Sequence, residues 1–443
     1  MRSEVSAYAQ HIVYNSQNMT RSNISAISAR ISSTLAHPGF RKYFASTGWS
    51  LMSRVLGLFI SFFVTIYMVR YLGPENYGQL SYAVSFAGIF SIVATLGMDS
   101  IIYRDLVTHP ERRGEFMGTA LGLKLLAGVF ASLLTILSAL IFSPKDISLY
   151  LIIIIAFTYI FNSFNIIVYE FQARVQQKYP ALISLAIVII LNTLKVLVFY
   201  FDKGVYYLSF ILLLESILYA ALYVTYRRKI YGAFSDWHFK KETARYILKS
   251  SWPLIITAVF SVIYTRIDQV MIKNMIDAGS VGIYDAAVRL SEAWNFIPGI
   301  IASSLFPAII NAKKISIRVY KRRLLGLIGG LVALALAVAV PTSLLSSFIV
   351  HLLYGSSYAA SASVLSIYIW SGIWFSMNLV LQYFLINEHK PHILFYSSLL
   401  AMLINVGLNF YLIPIYGING AAWATFISYI VLSLPAAYIL RLK

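Results

Sequence analysis

The chain has 443 residues, of which 59% are hydrophobic and 12% charged, a balance far from soluble domains and close to polytopic membrane proteins. It carries a formal net charge of +18 and no cysteine, so disulfides, thiolate metal sites and cysteine nucleophiles are excluded. Net charge alone would suit nucleic acid; where the charges lie argues against that partner.

Residues 1–45 are rich in Ser and Arg, hold one acid, Glu4, and contain no apolar run, so they do not read as a secretory signal peptide. They are expected to be a disordered cytoplasmic tail; an organellar transit peptide, or a start at Met19, are the alternatives. Twelve apolar stretches follow, at 47–70, 80–103, 117–142, 148–169, 181–201, 205–226, 252–274, 283–310, 324–350, 361–386, 392–413 and 420–440. Each is about the ~20 residues or more that cross a ~30 Å hydrocarbon core. With no water there to satisfy backbone groups, each must be helical.

The basic residues choose the sides. The termini and even-numbered connections hold 26 of the 35 Lys and Arg, and the opposite side holds four: Arg70, Lys145, Lys203 and Lys273. Eight acids share the basic side, so the whole +18 lies there. Such a face is cytoplasmic, which puts both termini inside. The charge is thus a topology signal that also suits anionic lipid, and no nucleic-acid partner is expected.

The two halves resemble each other. Trp49 and Trp252 open spans one and seven, 203 residues apart; "YGQLSYAV" (77–84) aligns with "VGIYDAAV" (281–288) at an offset of 204. Pro180 and Pro391 match at 211, and Asn192 and Gly204 match Asn405 and Gly417 at 213. Six spans is an even number, so the halves are parallel repeats about an axis along the membrane normal. The expected organisation is an all-α polytopic fold with a six-helix lobe at 46–226, a basic cytoplasmic linker at 227–251 and a second six-helix lobe at 252–443.

Among motifs, no Walker loop and no HExxH zinc signature occurs. Gly73-Pro74 breaks the chain after span one and Gly78 permits re-entry into span two. Glycine pairs at Gly118/Gly122 and Gly326/Gly330 suit close helix packing. Ten ionisable residues lie inside spans: Arg54, Asp99, Lys124, Lys195, Glu215, Arg266, Asp268, Asp285, Arg289 and Glu292. Each costs about 2.5–3.5 kcal/mol at a helix centre by insertion scales. Lys124 and Lys195 are near enough to span ends to snorkel. Asp285, Arg289 and Glu292 share one helical face. Interhelical ion pairs account for any one of these residues; ten over seven spans point to a shared, hydrated interior. Tyr264 and Trp294, beside these ions, are candidates for stacking on sugar faces.

"SRVLGLFISFFVTIYMVRYLGPENYGQLSYAVSF" (53–86), "LYGSSYAASASVLSIYIW" (353–370) and "NVGLNFYLIPIYGINGAAWATFISY" (405–429) resemble polysaccharide flippases of the O-antigen and exopolysaccharide type. These belong to the multidrug/oligosaccharidyl-lipid/polysaccharide exporter superfamily. The resemblance covers roughly residues 41–443 and rests on turn and packing residues. It implies two six-helix lobes about a central cavity with alternating access in the plasma membrane. It also implies, as cargo, an oligosaccharide on a polyprenyl pyrophosphate, and as partners membrane lipids and other membrane proteins of polysaccharide assembly. Such cavities tend to be cationic, whereas the in-span ions here number five of each sign. No cofactor is expected, and neither H+ nor Na+ is singled out as a coupling ion. The expected site is Arg266 as an anion ligand, with Asp268 setting its pose or accepting sugar hydroxyls, and Arg54, Lys195, Glu215, Asp285, Arg289, Glu292, Tyr264 and Trp294 around it. A multidrug or cation exporter of the same superfamily is the near alternative. An integral-membrane polymerase or acyltransferase is the more distant one, since no long outer loop or catalytic constellation occurs.

Overall fold

The computed structural model describes residues 38–314, 316–436 and 439, excepting the side chains of 38–47, 50, 51, 253 and 254. The expected disordered tail falls mostly outside these residues, although helix already begins at Pro38, inside it. All the regular structure among the described residues is helical.

Eleven stretches are long and apolar enough to cross a membrane. The first is two crossings in one. Helix Pro38–Thr95 contains Gly73 at φ 68°, ψ 171°, a conformation open to glycine and costly for other residues. A straight helix of 58 residues would run about 87 Å at ~1.5 Å per residue, nearly three bilayer cores. The turn therefore makes two arms, α1 (38–72) and α2 (74–95), and Asp99–Thr108 extends α2 beyond a bend at Leu96–Gly97. The remaining crossings are α3 Pro110–Phe142, α4 Ile147–Ala173, α5 Lys178–Tyr200, α6 Val205–Tyr231, α7 Lys241–Met275, α8 Ala278–Lys313, α9 Ile317–Leu344, α10 Ser361–Asn387, α11 Pro391–Tyr416 and α12 Ile418–Ala436. Twelve crossings result, as expected from the apolar pattern. α4 and α8 are interrupted near mid-span, at 157–165 and 293–295.

The connections sort into two ends. At one end Tyr71 bonds Asp202, Lys273 pairs with Asp146 at 2.7 Å, and Tyr358 donates to the Val69 carbonyl. At the basic end Arg104 bonds Tyr246 and Lys313 pairs with Glu388 at 2.7 Å. The link between halves is shorter than expected, 232–240 rather than 227–251, because α6 runs through Tyr231 and α7 starts at Lys241. It is also docked. Arg227, 1% exposed, pairs with Glu170 and with Asp236 of the link, each at 3.3 Å, donates to the carbonyls of Gly232 and Ala233, and packs against the rings of Phe234 and Trp237.

The largest apolar core runs through the first half and continues into Ala244 and Ile247 near the basic end of α7 and into 272–288, 350–368 and 413–422 of the second, so most of the shared core lies toward the non-basic end. Three smaller cores lie within the second half alone, one of them formed by Ala302, Phe306, Leu324 and Leu331 with their neighbours. At the joint, the repeat-related glycines face each other. A Cβ on Gly78 would collide with the Ala278 carbonyl, and one on Gly282 with the Pro74 carbonyl. This reciprocity is what a two-fold axis between α2 and α8 requires.

Candidate functional site

The α2–α8 crossing positions the site. Three residues beyond Gly282, Asp285 is 2% exposed and accepts four hydrogen bonds. Its Oδ2 takes Tyr77 (2.5 Å), Ser81 (2.8 Å) and Nε of Arg289 (2.7 Å), and its Oδ1 takes Gln269 (2.7 Å). Gln269 in turn accepts a short bond from Ser85. Ser81 and Asp285 are equivalent positions in the two repeats, so the internal symmetry is closed by a hydrogen bond. A buried carboxylate is tolerable only with such saturation.

Arg289 uses Nε on this carboxylate, while 41% of its side chain is open to solvent. What it opens on is a cavity of about 520 Å³ inside the first half, also lined by Lys195, Glu215, Asn162, Asn165 and Tyr219. Among the described residues Arg289 is the sole contributor of the second half to that lining. Three sequence-chosen ions, Lys195, Glu215 and Arg289, are thus brought to one chamber, with Asp285 behind it. Lys195 lines this chamber rather than snorkelling to a membrane face.

The other candidates separate. Arg54 is exposed on a second cavity, about 420 Å³, nearer the basic end of α1, α4 and α5. A 2.9 Å hydrogen bond between Ser184 and Tyr219 links the walls of the two cavities. Lys124 does not snorkel either: it is 3% exposed and pairs with Asp99 at 2.5 Å. Arg266 is half-buried, with no hydrogen-bond or ion-pair partner among the described residues. Glu292 is exposed and accepts from Tyr368 at 3.1 Å.

Asp268 faces away from Arg266, as residues two apart on a helix must. It is 3% exposed, and its carboxylate accepts from Tyr284 (2.7 Å), Asn409 (2.6 Å) and, by a short bond, Thr425. No cation lies within 4 Å of it among the described residues. It therefore does not set the pose of Arg266 here, and nothing in its enclosure reaches the large cavity. Tyr264 and Trp294 are core residues, at 7% and 8% exposure. Tyr264 packs edge-on against Tyr429, and Trp294 against Ala335, Ala339 and Ile369. Gly372 leaves room for the Trp294 ring, which a Cβ there would meet at 2.6 Å. Neither ring faces a space that a sugar could fill.

Sequence reasoning overlooked Tyr77, Ser81, Gln269, Tyr284, Asn409 and Thr425, because it searched spans for ionised groups. The available signal was the pairing of "YGQLSYAV" with "VGIYDAAV": polar uncharged residues recurred there on the faces that meet. No group of three or more His, Asp or Glu gathers as a metal site among the described residues.

A family model described as "Polysaccharide biosynthesis protein" matches residues 43–313. No curated protein matches the chain. Among solved structures the chain is similar to an inward-facing multidrug resistance MATE family transporter of the MOP superfamily, at TM-score 0.72 and 15% identity, covering 86% of this chain and 95% of that one. It is similar to the lipid II flippase MurJ in an inward closed conformation, at 0.70 and 16%, covering 90% and 87%. An outward-facing MATE structure matches at 0.62 and 15%, covering 91% and 96%. At these identities the likeness is one of fold.

Proposed function

The chain belongs to the polysaccharide biosynthesis protein family, and from that premise we propose that it is a flippase. It carries an oligosaccharide on polyprenyl pyrophosphate from the cytoplasmic to the outer leaflet of the plasma membrane, with the basic face inside. A lipid-linked sugar has a headgroup that cannot enter hydrocarbon and a tail that prefers it. A hydrated chamber inside one lobe, reached by Arg289 of the other, shelters the first while the second stays in lipid.

The observation that carries this reading is Arg289. Its carboxylate partner engages Nε and is itself saturated by Tyr77, Ser81 and Gln269. The terminal nitrogens have no partner among the described residues and belong to a chamber that also holds Lys195. A planar guanidinium fork binds phosphate oxygens bidentately. Placed where the lobes meet, it senses cargo and lobe position together. Arg266 is the second anion ligand in this reading. Most of the core shared by the lobes lies toward the non-basic end, which supports loading of the cargo from the basic, cytoplasmic side in this reading. Asp268, buried without a cation, is the place where H+ or Na+ would offset charge and couple to transport.

A cation exporter is the second reading, favoured by the solvent-reached carboxylates of Glu215 and Glu292. The leaflet location of labelled lipid-linked units in a deletion strain separates the two. The flippase reading expects complete units stranded on the cytoplasmic leaflet. Intact units outside at the wild-type rate would sink it, and altered sensitivity to cationic compounds with normal glycan would favour the exporter.

A further inference from the structure

The two halves treat one feature of the repeat differently. In the first half Gly114, Gly118 and Gly122 of α3 form a trough that the interlobe link fills. A Cβ on Gly118 would meet the backbone N of His238 at 2.5 Å, and one on Gly122 would meet Phe239 at 3.0 Å. Polar groups on the trough hold the strand: Thr119 accepts from the Lys240 N–H at 3.1 Å, and Glu115 accepts a short bond from Thr243.

α9 carries the equivalent trough, 208 residues on. Gly326 and Gly330 stand for Gly118 and Gly122, and the buried positions agree: Phe116 with Leu324, Leu123 with Leu331, Ala131 with Ala339. Here nothing lies within 4 Å of a Cβ on either glycine among the described residues. The result is an open groove of about 570 Å³ between α8 and α9, walled by Leu305, Ile309, Leu327 and Leu334. The groups that hold a peptide are gone. Thr119 is replaced by Leu327, and Glu115 by Arg323, an exposed cation whose Nη1 reaches across the mouth to the Ala308 carbonyl at 3.3 Å.

We infer that this groove is a binding site for an anionic phospholipid of the leaflet on the basic face, with the phosphate at Arg323 and one acyl chain along Gly326, Gly330 and Leu334. Three observations select this occupant over a peptide. The charge at the mouth is inverted relative to the peptide-filled trough. The wall has lost the side-chain acceptor that takes a peptide N–H in the filled trough. The groove also has a leaflet's length: Arg323 to Leu334 spans about 16 Å at ~1.5 Å per residue, against ~15 Å for half a hydrocarbon core. Arginine at headgroup level supplies a charge-assisted fork for a phosphate. The inference concerns a face of the protein apart from the cargo chamber and holds whether or not the cargo is a glycolipid.

The test is native mass spectrometry of the purified protein released from detergent with phosphatidylglycerol, phosphatidylcholine or a polyprenyl phosphate added at equal concentration. Wild type should retain phosphatidylglycerol about tenfold better than phosphatidylcholine, the discrimination worth one charge-assisted contact. Gly330→Leu fills open space, so it should melt like wild type and lose that preference. Arg323→Gln should lose it too, and Arg323→Lys should restore part. Equal retention of both phospholipids, or retention untouched by Gly330→Leu, overturns the site. Retention of polyprenyl phosphate in place of phosphatidylglycerol also overturns it, by giving the groove to a cargo tail. A disulfide between Leu334→Cys and Leu442→Cys would overturn it by making the chain's own end the occupant.

Discussion

Arg289 and Asp285 form a pair in which each residue has a separate second task. Asp285 ties α2, α7 and α8 together, and Arg289 faces the chamber. Their substitutions should therefore differ in kind. Asp285→Ala removes the acceptor of four donors and leaves a cation without its partner; breaking such a pair costs about 3–5 kcal/mol when both members are buried, and Arg289's exposure puts this case near the lower end. The measurable outcome is a lower melting temperature and reduced accumulation. Arg289→Ala should accumulate, since the remaining three donors still satisfy Asp285, yet lose glycan export at least about tenfold, with Arg289→Lys partly active because it keeps charge without the fork. Full export by an accumulated Arg289→Ala would remove this residue from the site. For Asp268, an Asn oxygen can still accept from Asn409 while its amide N–H groups donate to the Tyr284 and Thr425 hydroxyls, so Asp268→Asn removes the charge and keeps the hydrogen bonds. It is expected to insert and to lose transport driven by an imposed ion gradient; unchanged gradient dependence would exclude Asp268 from coupling.

At the scale of the element, two close approaches decide how the lobes are held. The Gly78–Gly282 crossing admits no side chain on either helix. Gly282→Val should force α2 and α8 apart, and an impermeant thiol reagent should then reach Ser81→Cys, which is 2% exposed in the closed arrangement. Equal protection with and without Gly282→Val would show that the crossing does not seal this end. The link at 232–240 is the other case. Arg227, itself buried, holds it through an ion pair with Asp236, two carbonyls and two aromatic rings, and is anchored in turn by Glu170. Arg227→Ala leaves Glu170 with Arg174 alone and empties the space against the Phe234 and Trp237 rings. A loss of about 3 kcal/mol is expected, read as a lower melting temperature, because a buried pair has been broken and packing removed.

For the molecule as a whole, the natural absence of cysteine makes sidedness directly measurable. Ser357 and Lys145 lie exposed at the non-basic end and Ser235 exposed in the docked link at the basic end. In intact cells, Ser357→Cys and Lys145→Cys should label with an impermeant thiol reagent, and Ser235→Cys should not. Labelling of Ser235→Cys alone would invert the orientation on which the direction of transport depends. Alternating access adds a second expectation. With α2 and α8 joined at one end, accessibility at Arg54 and Arg266 should be highest from the basic side and should fall when cargo is saturating.

The twelve crossings and the six-plus-six repeat were legible in the residues alone. Hydrocarbon imposes a length, a polarity and an internally satisfied backbone on each crossing, and those are local properties of a stretch of chain. Gly73 and Gly78 announced their turn for the same reason, since backbone freedom is written into one residue. The roles of the in-span ions were not legible. Whether Lys124 snorkels or meets Asp99, whether Asp268 turns to Arg266 or to Asn409, and whether Trp294 faces water or Ala335 all depend on which helices adjoin. A charge in a span states only that a partner or water must exist, and many partners meet that requirement equally well. Likewise two identical glycine pairs read alike in sequence, while the tertiary structure fills one trough with the link and leaves the other open. The difference lies in what the rest of the chain places beside them, a matter of packing that no local pattern contains.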